Sequence, residues 1–215
     1  MRAARPLFFA LLPLLASCQL FDTRGDSNAG QVRLQGELSV SAGRLTLRPC
    51  GDERQLVLGD NGPTSLSRDA AALFSDGSGP LFVDVLGIPS DGHLKVTQLY
   101  RLQQQGHGCD DPEFKRLLLR ASGNEPGWSV EIGRRGMLLQ RQDQPSLVLP
   151  YVQEQLPDGR FDFSSEANGQ RIQLWVTPQR CVDGMSGTLS HLSAELRIDG
   201  QLQRGCAYYG GQLGN

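Results

Sequence analysis

The chain has 215 residues and a formal charge of −2, with Lys95 and Lys115 as its only lysines. Nothing in this balance resembles the basic surface that nucleic-acid binding requires, so that class is set aside. The length suits one large β domain or two small ones.

At the start, Arg2 and Arg5 precede an apolar run from Pro6 to Leu15, which closes in Leu15-Ala16-Ser17-Cys18. A basic start, a short apolar middle and small residues before a cut form a secretory signal. The run is far short of the ~20 residues that span a bilayer as a helix. It is also interrupted by Pro13. Leu-Ala-Ser-Cys resembles the lipobox of bacterial lipoproteins; an ordinary secretory signal beside a cysteine is the competing reading. The resemblance implies that residues 1–17 are a signal peptide and that Cys18 becomes an acylated N-terminus carrying diacylglyceryl and palmitate-type chains. Each buried CH₂ contributes roughly 0.8 kcal/mol, so several chains anchor permanently where one binds marginally. Gln19, in place of the Asp that retains such proteins in the inner membrane, implies the outer membrane, with the folded part in the periplasm. Loss of Arg2 and Arg5 with the signal brings the charge to about −4. Residues 18–30 comprise Cys18 and a stretch from Gln19 to Gly30 with Asp, Ser, Asn and Gly, which reads as a flexible tether.

From Val32 the pattern turns to strand. Val32, Leu34 and Gly36 alternate with polar residues, as do Leu38 and Val40, then Leu45 and Leu47. Leu56–Leu58, Leu81–Val85 and Leu94–Val96 continue it. Between Leu58 and Leu81 a short helix is expected, capped by Thr64 or Ser65, with Leu66, Ala70, Leu73 and Phe74 on one face and Asp76-Gly77 at its end. A helical turn or an interdomain link is expected at Asp111-Pro112-Glu113.

Strands resume after Phe114. Trp128, Val130 and Ile132 alternate; so do Phe161 and Phe163, then Ile172, Leu174 and Val176 with Trp175 on the opposite face. Leu192, Ala194, Leu196 and Ile198 follow. Asn-Gly or Asp-Gly recurs at residues 61, 76, 91, 158, 168, 183 and 199. Such pairs supply the positive φ of tight hairpins. The reading is all-β: two small antiparallel, barrel-like domains, 31–112 and 113–215, the first OB-like with one short helix.

Four cysteines follow Cys18: Cys50, Cys109, Cys181 and Cys206. An even number in an oxidising compartment suggests two disulfides. Of three pairings, Cys50–Cys109 and Cys181–Cys206 are favoured, because each closes within one proposed domain. On the chain-entropy model they contribute about 4 and about 3.5 kcal/mol. No Cys-x-x-Cys occurs and no His stands at ligand spacing from a Cys, so no metal and no cofactor is expected.

Gly36–Leu47, Pro49-Cys50-Gly51, the segment Leu66–Phe74 and Pro80–Gly87 together resemble the C-terminal OB-like domain of NlpE-type outer-membrane lipoproteins. That resemblance implies a strand-strand-strand-helix-strand-strand order and a role in the envelope stress response. The Cys-x-x-Cys-bearing N-terminal domain of those proteins is absent, so their metal or redox function is not implied. The second half carries Gly123-Asn124-Glu125-Pro126-Gly127-Trp128, Cys181-Val182-Asp183-Gly184-Met185-Ser186-Gly187 and Arg204-Gly205-Cys206-Ala207. This set resembles a family of uncharacterised periplasmic or lipid-anchored bacterial proteins, which implies a small disulfide-closed β domain and no assigned activity.

The Gly123–Trp128 stretch reads first as a turn entering a strand, with a buried Trp128 at the start of the second domain's first strand. The alternative makes Asn124, Glu125 and Trp128 a binding set. Ser186 lacks the Gly-x-Ser-x-Gly context of a hydrolase elbow, and His191 stands five residues away. His93 and His107 read as turn and loop residues, and Glu53, Asp110, Asp111 and Glu113 as solvated loop acids. The expected function is therefore binding or signalling by a lipid-anchored periplasmic protein, not catalysis. Its partners would be the outer membrane, through Cys18, and an envelope protein. The competing function is inhibition of a lysozyme or protease.

Overall fold

The computed structural model describes residues 30–60, 64–77 and 79–213. Cys18, the signal segment, most of the tether and the Asn61-Gly62 turn lie outside the described residues. The chain forms two curled β-sheets.

The first sheet uses β1 (Val32–Ser41), β2 (Arg44–Pro49), β3 (Leu56–Gly59), β4 (Leu81–Ser90) and β5 (His93–Gln103), with helix α1 (Leu66–Asp76) between β3 and β4. β1 pairs antiparallel with β2 and β4, β2 with β3, and β4 with β5, while β3 and β5 run parallel. The pairings close a five-strand ring, 1-2-3-5-4-1. This is the OB-like order expected from the sequence. The alternation explains it: Leu38, Leu47, Leu58, Val83, Val85, Leu94 and Val96 point inward and form one core with Leu66 and Ala70 of α1. Full burial of each of the larger apolar side chains is worth about 1.5–3 kcal/mol.

Helix α1 is where expected, but its cap is not. Ser65 occupies the N-cap position without a side-chain cap bond, and its hydroxyl donates to Asp69 instead. Asp60 Oδ2 accepts from Ser67 N at 3.0 Å, and Asp60 also accepts from the Thr64 hydroxyl. A carboxylate satisfies the free N–H groups and complements the helix dipole, so Asp60 displaces both hydroxyls from that task.

The second sheet contains β6 (Leu117–Asn124), β7 (Gly127–Gly133), β8 (Gly136–Arg141), β9 (Leu147–Leu149), β10 (Val152–Gln155), β11 (Phe161–Ala167) and β12 (Gln170–Thr177). After the short β13 (Cys181–Val182) and β14 (Leu189–Ser190), β15 (Leu192–Ile198) and β16 (Gln201–Tyr209) complete it. Its order is 10-11-12-15-16-6-7-8-9. The two edges, β9 and β10, are separated only by Pro150 and Tyr151, so the sheet must curl to bring them together. The inward residues, among them Ile132, Leu139, Leu149, Phe163, Leu174 and Leu196, form a single core. At the β11–β12 and β15–β16 turns, Asn168-Gly169 and Asp199-Gly200 have positive φ at both residues, as the hairpin signals predict.

Two features cross the expected boundary at 112/113. The β13–β14 hairpin, from the second half, pairs with β5 of the first sheet, and Leu189 enters the first core. Strand β4 is buried on both faces from Leu81 to Gly87, because its outward residues Phe82 and Asp84 face the second sheet's neighbourhood. The strand β6 also precedes Trp128, which therefore sits on the second strand of its sheet rather than the first. Leu117-Leu118-Leu119 lacks a polar alternation, which hid this strand in the sequence.

Both disulfides form as favoured, Cys50–Cys109 and Cys181–Cys206, with Cα separations of 5.3 and 5.5 Å. Among the described residues no helix is long and apolar enough to cross a membrane.

Candidate functional site

The three second-half motifs, far apart in sequence, meet at one end of the second sheet. Asn124, at the end of β6, donates Nδ2 to Asp183 Oδ2 at 2.6 Å. The Cys181–Cys206 bond ties the start of the Asp183 loop to β16. Trp128 lies beneath, 4 % exposed. Its indole packs against Gly123 and Gly205, neither of which could carry a side chain. A Cβ on Gly205 would overlap the Ser122 carbonyl and lie 2.9 Å from Trp128 Cζ2. A Cβ on Gly123 would collide with the Arg204 carbonyl and the indole nitrogen. Glu125 and Pro126 form the exposed turn between β6 and β7, joined by a cis peptide bond. Of the candidate binding set, Asn124 thus lines a surface, Glu125 projects at a turn, and Trp128 supports the surface from inside.

The loop from Asp183 to Thr188 is rigidly closed. Asp183 Oδ1 accepts from Ser186 N and Ser186 Oγ, each at 2.8 Å, and from Met185 N at 3.1 Å. Asp183 N donates to the Thr188 carbonyl, and Gly187 N to the Asp183 carbonyl. Burial disfavours the Asp183 carboxylate, but the bonds from Ser186, Asn124 and Met185 prevail and hold its pKa below the usual carboxylate value. At the tip, Met185 is 79 % exposed. Ser186 is committed to Asp183 and Thr188, whereas His191 Nδ1 bonds the Tyr100 carbonyl. The two residues serve different networks.

Beside this loop a cleft of about 430 Å³ opens between β5, β6, β16 and the 183–190 segment. Arg101 and Arg120 contribute to its wall. Arg120 Nη1 donates to Asp111 Oδ2 at 2.7 Å and to Tyr208 Oη at 3.0 Å, and its Nη2 lies 2.9 Å from Glu131 Oε1. Asp111 is consequently not the solvated loop acid expected: its side chain is 3 % exposed. Its Oδ1 accepts from Glu113 N at 3.2 Å, at the entry to the 3₁₀ turn Phe114–Arg116, near the expected helical turn. Arg101 is 2 % exposed and packs between the rings of Phe82 and Tyr208, 4.5 and 4.1 Å from their centroids.

Sequence reasoning missed Arg101, and the signal for it was present. It is a lone charge in Leu99-Tyr100-Arg101-Leu102, just as Asp84 is in Leu81–Leu86. A charge inside an apolar strand run is rarely fully buried unless it is paired, so it marks a position to examine. Among the described residues, no group of three or more His, Cys, Asp or Glu side chains is placed to hold a metal. His93 bonds the Asp91 carbonyl at its hairpin, and the His107 carbonyl accepts from Gln103.

No family model, no curated protein and no solved structure matches this chain.

Proposed function

We infer that this protein is a lipid-anchored envelope protein that acts by binding another protein. Its contact face is the disulfide-stapled loop Asp183–Thr188 and the adjoining Asn124 turn. The observation that carries this reading is Met185. A large apolar side chain stands exposed at the tip of a loop fixed by a disulfide, by Asp183 and by Asn124. A pre-ordered loop loses little conformational entropy on binding, which favours affinity. The location rests on the lipobox-like Leu15–Cys18, with the outer membrane as anchor and the periplasm as compartment. A role in the envelope stress response rests on the resemblance of residues 36–47, 49–51, 66–74 and 80–87 to NlpE-type lipoproteins.

A photo-crosslinking residue at position 185 of the full-length protein, expressed in its own envelope, tests this. The expected result is a discrete protein adduct that a crosslinker at exposed Val148 does not give. Adducts to lipid alone, or the same adducts from both positions, would refute the contact face.

The same loop supports a second reading, inhibition of a lysozyme or protease, because a rigid apolar tip fits an active-site groove. Purified protein assayed against lysozymes and proteases separates the two. Inhibition abolished by Met185→Asp favours the inhibitor; a crosslinked partner with no inhibition favours signalling.

A further inference from the structure

Arg101 is the one fully buried guanidinium in the cleft wall with no carboxylate bonded to it. The acids nearest to it are already engaged: Asp84 by Arg33 and Gln35, and Asp111 by Arg120. Arg101 Nε and Nη2 find no acceptor among the described residues and are sealed from solvent. That leaves Nη1 as the guanidinium nitrogen that is not sealed. Burying an ion costs several kcal/mol, and stacking on aromatic rings returns about 2 kcal/mol when desolvated. The rings of Phe82 and Tyr208 therefore hold and orient the guanidinium without neutralising it. Burial also pulls its pKa below the ordinary arginine value, against the opposing pull of Tyr208, Asp84 and Asp111.

The rest of the cleft is chemically specific. Ser122, Asn124, Ser186, Thr188 and Ser190 line it with neutral hydroxyl and amide groups, those of Asn124, Ser186 and Thr188 already bonded within the Asp183 loop. Arg120 is paired with both Asp111 and Glu131, so that cluster adds no free positive charge and carries one surplus negative charge. Asp183 places a negative charge on the rim. Arg101 has no bonded carboxylate of its own, but Asp111, Glu131 and Asp183 outnumber Arg101 and Arg120 by one charge, so the cleft suits one negative group placed at Arg101 and disfavours a dianion.

We propose that this cleft binds a small carboxylate whose remaining groups are hydroxyls or amides, with Arg101 as its charge partner. A carboxylate at a guanidinium forms the strong, charge-assisted class of hydrogen bond. The polar wall then selects among carboxylates by what else they carry. Two ligand sources share this chemistry, a sugar acid and an N-acylated amino acid. Neither requires the protein partner inferred above, so the two proposals fail separately.

The test is calorimetric titration of the full-length protein with acetate, D-glucuronate, N-acetylalanine and inorganic phosphate, alongside NMR of the arginine Nε–H signals. Glucuronate or N-acetylalanine should bind more tightly than acetate and phosphate, and whichever binds better identifies the source. The Arg101 signal should shift on binding. Arg101→Gln should weaken binding about tenfold or more, the loss expected for a charge-assisted contact. Because Arg101 is buried, Ser122→Asp provides a second variant at an exposed strand position. Its carboxylate competes for the same charge, and it too should weaken binding. The proposal is overturned if no carboxylate binds, if phosphate binds more tightly than either carboxylate, or if binding survives Ser122→Asp unchanged.

Discussion

Arg33 of β1 grips Asp84 of β4 with two donors, Nε to Oδ1 at 2.8 Å and Nη2 to Oδ2 at 2.6 Å. The same guanidinium reaches the carbonyls of Tyr209 and Gly210, at the end of β16 and just beyond it, at 2.8 and 3.0 Å. One side chain therefore fastens the first barrel to the second sheet. The pair is almost fully buried, at 6 and 0 % side-chain exposure. Removing one member of a buried pair leaves an uncompensated charge and costs about 3–5 kcal/mol. Asp84→Asn should destabilise by this amount in urea unfolding of the full-length protein. Arg33→Lys should also destabilise, because an ammonium cannot reproduce a planar fork serving two carboxylate oxygens and two carbonyls. Losses below about 1 kcal/mol for both would show that the clamp contributes no more than a surface pair.

A pH effect follows from His191, where the chain crosses from β14 to β15. Its Nδ1 faces the Tyr100 carbonyl at 3.0 Å and must donate to it, so the neutral ring carries its lone pair on Nε2. That nitrogen is sealed without a partner. Tyr100 and Tyr209 pack edge-on against the ring, and Arg33 and Asp84 lie close enough to act on its charge. Burial, reinforced by Arg33, outweighs the Tyr100 carbonyl and Asp84 and brings the pKa down to about 4 from 6.5. The folded state thus holds fewer protons on this group than the unfolded state between those values. Its contribution is fully present above about pH 6.5 and is lost as pH falls to about 4, on the order of 3 kcal/mol. His191→Asn keeps a donor for Tyr100 but cannot titrate. Stability curves of the two proteins should converge as pH falls through this window. Parallel curves would place the acid sensitivity elsewhere.

The strands were legible because alternation records which face is buried. Leu38, Leu47, Val83 and Leu94 needed no partner to be identified as inward. The OB-like ring followed from the order of those strands about one helix. What stayed hidden depends on chain segments far apart. Arg33 contacts a carbonyl 177 residues away, and the β13–β14 hairpin joins a strand some ninety positions earlier, as the His191–Tyr100 separation of 91 shows. Asp60 caps α1 from seven residues before Ser67, outside the usual local pattern. Asn124 was identified as a candidate, but its partner Asp183 was not, because the disulfide and the pairing of distant strands bring their loops together.

The lipobox-like segment makes its own prediction. Intact-mass measurement of membrane-extracted protein should show an acylated chain beginning at Cys18. If the proposed lipid anchor is correct, Cys18→Ser should release the protein from the outer membrane, since the anchor would then reside in the acyl chains. A Cys18→Ser protein still cofractionating with that membrane would sink the lipoprotein assignment.

Trp128 and Glu125 separate the support of the contact face from the face itself. The indole fills the space over Gly123 and Gly205, and it belongs to the core shared by Val130, Ile132 and Leu139. Truncating a buried aromatic leaves a cavity, so Trp128→Ala should cost roughly 3–5 kcal/mol. Gly205→Ala should be comparably harmful for the opposite reason, because its Cβ would force β16 away from the Ser122 carbonyl. Glu125 is exposed at its turn, so Glu125→Gln should alter stability by no more than about 0.5 kcal/mol. Thermal melts of the full-length variants measure all three. The strand shift in Gly205→Ala would also displace Cys206, so the Asp183 loop should lose protection from hydrogen exchange in that variant. A Trp128→Ala protein with an unchanged melting temperature would mean that the indole is not a pillar of this face.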